Sequence, residues 1–108
     1  MKSKSYEAAA VKFTEAFRLN PSEALFANNA GFALYRAGKL QDAVLWFRQA
    51  LALDPRRAVA YLNLGDALVK LNQTSGAREA YKKYLDLAPD SKPAPDVRKK
   101  LEALQSSP

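Results

Sequence analysis

A chain of 108 residues with a formal charge of +6, 26% charged and 48% hydrophobic residues can bury one modest core. It contains no histidine and no cysteine, which removes the commonest general base, the thiolate nucleophile, the soft metal ligands and any disulfide framework. No apolar run is long enough to span a membrane, since even residues 43–53 are interrupted by Arg48 and Gln49.

The positive charge raises the question of nucleic acid, because clustered Lys and Arg attract phosphate. Residues 1–21, 22–57 and 92–108 carry about +2 each, and residues 58–91 are neutral. The excess is therefore spread, with short runs only at Arg56-Arg57, Lys82-Lys83 and Arg98-Lys99-Lys100. These are expected on solvated helix faces and ends, so nucleic acid is not the expected partner.

The opening Met1-Lys2-Ser3-Lys4-Ser5 is basic but leads into an amphipathic stretch, not an apolar signal core, so a cytoplasmic location is expected. Residues 5–19 read as a helix, with Ala9, Phe13, Ala16, Phe17 and Leu19 at three- and four-residue steps. Asn20-Pro21 stops it, and Ser22 is placed to cap the next helix. That helix, about residues 23–37, sets Ala27, Ala30, Gly31 and Leu34 on one face, small enough for a neighbour to approach closely. Gly38 breaks it. Residues 40–53 form its partner, expected to bury Leu40, Ala43, Val44, Phe47, Ala50 and Leu51, and Asp54-Pro55 ends it.

A second cycle follows: a helix over about residues 57–71, a turn at Asn72-Gln73, a helix over about 74–87 and a stop at Pro89. Asn72 takes the place of Gly38, and Gly76 is a weak point in the first turn of its helix. After the turn-rich residues 90–95, a last helix to about residue 104 offers an apolar face of Val97, Leu101 and Leu104. Arg98, Lys99, Lys100 and Glu102 are expected to face water, the pattern of a capping helix.

The two cycles are copies. Shifting the sequence by 34 residues lays 24–57 on 58–91 with nine identities, among them Asn29/Asn63, Gly31/Gly65, Leu34/Leu68, Ala43/Ala77 and Pro55/Pro89. The same shift backwards lays Ala9, Phe13, Ala16 and Pro21 on Ala43, Phe47, Ala50 and Pro55. A fixed period of this size marks an array of stacked units. The chain divides into half a unit (residues 5–21), two whole units (24–57 and 58–91) and a cap (95–105), read as a single domain of residues 1–108.

This pattern closely resembles the tetratricopeptide repeat (TPR) family over about residues 6–91. The family's small residue, turn residue, alanine, aromatic and closing proline fall on Gly31, Gly38, Ala43, Phe47 and Pro55, then on Gly65, Asn72, Ala77, Tyr81 and Pro89. Tyr61 holds the early aromatic place in the second unit, where the first has only Ala27, and Tyr84 replaces a usual small residue, which is expected to widen packing near the cap. The resemblance implies an all-α, right-handed α-solenoid of helix–turn–helix hairpins, with first helices lining a concave groove and second helices behind. It implies a non-catalytic scaffold that holds a protein or peptide partner, without cofactor or metal. Contacts would come from Leu25, Asn28, Asn29, Phe32, Tyr35 and Arg36 of the first unit and Val59, Leu62, Asn63, Asp66, Val69 and Lys70 of the second.

Asparagines donate and accept at once, so Asn29 and Asn63, one repeat apart, suit the backbone of an extended peptide. A carboxylate-clamp adaptor for chaperone tails is a poor match, because Asn28, Phe32, Pro93 and Val97 stand where the clamp uses lysine, asparagine and further basic residues. The period of 34 also differs from that of the RNA-binding pentatricopeptide arrays. The alternative expectation is self-assembly into a homo-oligomer, because the half unit lacks its first helix and leaves Phe13 and Phe17 partly uncovered, with Trp46 also turned outward. That half unit also suits a piece excised from a longer array.

Overall fold

The computed structural model describes residues 2–105. Six helices follow one another: α1 (Lys2–Leu19), α2 (Ala24–Arg36), α3 (Leu40–Leu53), α4 (Ala58–Lys70), α5 (Thr74–Leu87) and α6 (Ala94–Gln105). The periods read from the sequence place α3 and α5 on these bounds, while α1 begins three residues earlier than expected. None of the helices is long and apolar enough to cross a membrane.

The turns inside the two hairpins are built identically. Gly38 (φ 85°) and Asn72 (φ 61°) both take the left-handed conformation. Lys39 N donates to Leu34 O and Gln73 N to Leu68 O, each at 2.9 Å, while Gly38 N reaches Tyr35 O and Asn72 N reaches Val69 O at 3.0 Å. This paired closure occupies carbonyls that a helix end otherwise leaves bare. The turns between hairpins also repeat, through a shared backbone bond. Glu23 N bonds Asn20 O at 3.1 Å, Arg57 N bonds Asp54 O at 3.2 Å and Ser91 N bonds Ala88 O at 3.3 Å. Ser22 therefore does not cap α2; the capping position is Glu23, which makes no side-chain bond.

Inside each hairpin an aromatic ring lies on bare backbone. A Cβ at Gly31 would sit 2.7 Å from the Phe47 ring, and one at Gly65 would sit 2.5 Å from Tyr81. Ala43, Ala67, Ala77 and Ala80 are buried in one cluster with Phe47, and Ala24, Ala27, Ala50 and Ala60 form a second buried cluster. Leu40 and Leu51, expected inside, remain half-exposed. Gly76 is more than a weak point: it lies against Leu68, whose Cδ1 a Cβ would meet at 3.1 Å.

The helices pack mainly on their neighbours in sequence, and across that order only α2 and α4 touch appreciably. At the start, α1 lies on α2, and its Phe17 meets Trp46 of α3 edge to face at 5.2 Å. At the end, α6 seats Val97 against Tyr81 and Tyr84, all three buried, and its first residue Ala94 is buried as well. Tyr84 does not loosen this region. Its hydroxyl lies 2.7 Å from Ser91 Oγ, which itself donates to Ala88 O at 2.8 Å, so Tyr84 is the donor and anchors the joint before α6.

Lys100 departs from its expected place in water. Its Nζ donates to Asp66 Oδ1 of α4 at 3.1 Å, and the Tyr81 hydroxyl donates to the same oxygen at 2.6 Å. Burial, and then the bond to the Asp66 carboxylate, push the Tyr81 hydroxyl well above the usual tyrosine range.

Three outcomes are expected. Gly31→Ala or Gly65→Ala crowds a ring that cannot retreat, and urea unfolding should show a net loss of about 1–2 kcal/mol after the roughly 1 kcal/mol gain in helix propensity; unchanged midpoints would contradict the contact. Deleting residues 95–108 uncovers Tyr81 and Tyr84 and should lower Tm by about 10 °C. Tyr81→Phe keeps the ring but removes one bond to a charged acceptor, costing about 1–2 kcal/mol at neutral pH. A raised hydroxyl pKa stabilises the fold below the unfolded tyrosine value near ~10 and loses that contribution as pH climbs above it. The alkaline decline in stability should thus be shallower in Tyr81→Phe.

Candidate partner-binding groove

The first helices α2 and α4, with α6 beside them, form one wall. A side-chain bond joins α2 to α4, Asn63 Nδ2 donating to Asn28 Oδ1 at 3.4 Å, and the Lys100–Asp66 bond joins α4 to α6. The second helices α3 and α5 pack on the back of this wall.

Most of the twelve expected groove residues do face outward on it. Leu25, Phe32 and Arg36 of α2 are exposed, as are Val59, Val69 and Lys70 of α4, while Asn29, Tyr35, Leu62, Asn63 and Asp66 are half-buried. Asn28 stands apart. It is only 6% exposed and is spent on Asn63. Of the expected asparagine pair one repeat apart, Asn29 is half-buried on the wall and Asn63 spends its amide on Asn28, the neighbour of Asn29. Leu62 leans into the Tyr81–Tyr84–Val97 cluster, and Tyr35 into the main core.

Four exposed aliphatic or aromatic side chains therefore share one face with two cations: Leu25, Phe32, Val59 and Val69 with Arg36 and Lys70. Both cations are held by rings. The Arg36 guanidinium carbon lies 5.2 Å from the Tyr6 centroid and 6.0 Å from that of Phe32, and Lys70 Nζ lies 5.8 Å from that of Tyr35. Among the described residues neither has a carboxylate within ion-pair distance. Burial, and next the charge of Asp66, raise the Tyr35 hydroxyl pKa, which keeps that ring neutral beneath Lys70.

At its α6 end the groove meets a cleft of about 370 Å³ between Tyr35, Val69, Lys70, Ala103 and Leu104, with the Asp66–Lys100 pair lining it. Sequence reasoning missed Tyr6, Lys100, Ala103 and Leu104 as groove residues. Tyr6 precedes the first full repeat and the other three follow the last, so no copy elsewhere in the chain marks them. Among the described residues no cluster of three or more potential ligands is gathered for a metal ion.

Of the residues named for self-association, Phe17 and Trp46 are engaged with each other and half-buried, and Phe13 is half-buried. The outer positions near them are Val11, Leu19 and Leu45, all well exposed.

Known proteins share this architecture. Two family profiles described as tetratricopeptide repeat match, one over residues 1–58 and one over residues 34–101. The yeast Saccharomyces cerevisiae small glutamine-rich tetratricopeptide repeat-containing protein 2 is 34% identical over 91 residues, covering 84% of this chain and 26% of that protein. The Drosophila melanogaster protein O-mannosyl-transferase Tmtc3 is 32% identical over 81 residues, 75% of this chain and 9% of its own length. The chain thus spans a small part of either relative. Among solved structures, the Arabidopsis OM64 TPR domain superposes with a TM-score of 0.85 at 28% identity, covering 94% of this chain and 84% of that one. With helix–turn–helix units of period 34, small residues under each ring and both profiles matching, the chain belongs to the tetratricopeptide repeat family.

Proposed function

We propose that this protein is a non-catalytic interaction scaffold that holds a peptide or helix of a partner protein along the α2–α4 wall. The observation that carries this reading is the exposed stripe Leu25, Phe32, Val59 and Val69, one face of two adjacent helices left uncovered although they sit on a well-packed core. Apolar side chains aligned on one side of a wall suit anchors at helical or extended spacing. Asn63 keeps acceptor capacity at its side-chain oxygen while its amide bonds Asn28, so it can still meet a backbone N–H of a bound segment.

The exposed Val11, Leu19 and Leu45 around the Phe17–Trp46 pair support a second reading, assembly of copies through the α1–α3 face. One pair of variants separates the two. Phe32→Ala/Asn63→Ala is expected to abolish capture of the partner from source-cell lysate while light scattering reports unchanged mass. Val11→Asp/Leu45→Asp is expected to leave capture intact. A groove variant that still captures the partner, alongside a change of mass in the second variant, would favour the assembly reading.

A further inference from the structure

The chain's own repeats do not account for the whole of the groove. The cleft of about 370 Å³ owes one wall to α6, which lies outside the repeated units, and to Ala103 and Leu104 in particular. Its size falls at the small end of the roughly 300–1,000 Å³ range of pockets that enclose ligands. Aliphatic and aromatic groups dominate its sides: Tyr35, Val69, Ala103 and Leu104. The carboxylate it contains is already satisfied, since Asp66 Oδ1 accepts from both Tyr81 and Lys100. Lys100 is satisfied in turn, reaching Asp96 at 3.7 Å as well as Asp66.

Lys100 is thus shared between two carboxylates, and two groove cations stand outside that cluster. Lys70 at the cleft and Arg36 further along the wall rest on aromatic faces and have no carboxylate partner among the described residues. Ring stacking fixes where each cation sits without neutralising it. Charge complementarity then points to an acidic ligand, and the cleft beside Lys70 to an apolar anchor within that ligand.

We infer that the cleft between α2, α4 and α6 is an anchor pocket for one bulky apolar side chain of a partner segment, and that Lys70 and Arg36 receive side-chain carboxylates flanking that anchor. The partner is thus an acidic, amphipathic segment of a protein, read through its side chains. This rests on the groove reading proposed above and adds to it a third wall and a ligand chemistry.

The test is selection of displayed random peptides on the intact chain, followed by fluorescence anisotropy on the enriched peptides made with free and with amidated C-termini. Enrichment of Asp or Glu next to Leu, Phe or Trp is expected, with equal affinity for the amidated form and weakening as salt rises. Lys70→Gln and Arg36→Gln should each weaken binding by about tenfold. Ala103→Trp, which fills the cleft from an exposed position of α6, should weaken it by at least as much, with each variant's melting compared by circular dichroism.

Enriched peptides without acidic residues, indifferent to Lys70→Gln and Ala103→Trp yet lost in Phe32→Ala, would overturn this inference and leave the groove reading standing. Binding that disappears on amidation would overturn it in favour of a terminal carboxylate. Oligouridylate binding tighter than any enriched peptide and lost in Lys70→Gln would overturn it in favour of RNA. No enrichment, or binding that survives Phe32→Ala/Asn63→Ala, would overturn the inference and the groove reading together.

Discussion

The architecture depends on a ring pressed onto a missing side chain. Phe47 meets α2 at Gly31 and Tyr81 meets α4 at Gly65, at distances that even a methyl group would violate. This contact sets how close the two helices of each hairpin come, and the surrounding alanines are small because that separation leaves room for little else. Close packing of this kind transmits position with little slack. Because the two hairpins use the same contact at the same repeat position, α2 and α4 emerge side by side with like faces outward. The groove is a by-product of how the cores are filled.

The second hairpin adds chemistry to this shared frame. Tyr81 carries a hydroxyl that Phe47 lacks, and Asp66 stands where the first unit has Phe32. Together they convert a core ring into a foothold for Lys100. Magnitudes indicate what each part contributes to seating α6. Burying a side chain such as Val97 is worth about 1.5–3 kcal/mol, whereas an ion pair as open to solvent as Lys100–Asp66 is worth about 0–1 kcal/mol. Apolar contact holds the cap in place, and the ion pair adds little to that hold.

What could be read from the sequence was whatever the repeat wrote twice. The bounds of α3 and α5, the left-handed turns at Gly38 and Asn72, and the small residues beneath each ring all follow from the alignment of one unit on the other. Features that occur once were hidden. Asn28 looks like a polar groove residue because asparagine is usually exposed, and only the approach of α4 shows that it is buried against Asn63. Lys100 lies in a run of basic residues on a helix with no counterpart, so its turn inward could not be inferred. Ser22 offers a side-chain cap that the structure leaves unused, since backbone bonds close all three inter-hairpin turns. Likewise Tyr6 gains its place under Arg36 only from the lie of α1 on α2.

The thin contact between α2 and α4 has a mechanical consequence. Each packs heavily on α3 behind it, yet across the groove floor they share little more than the long Asn28–Asn63 bond. The stiff direction of the molecule therefore runs through the back of the wall and the compliant direction across its front. A slight roll of one hairpin about α3 would leave the ring-on-glycine contacts within each hairpin in place, but it works against the core that Phe47 of the first hairpin shares with Leu64, Leu68 and Ala77 of the second. The wall behaves like a book with a firm spine, and any change in its curvature is met by the apolar core between the hairpins as well as by one long hydrogen bond.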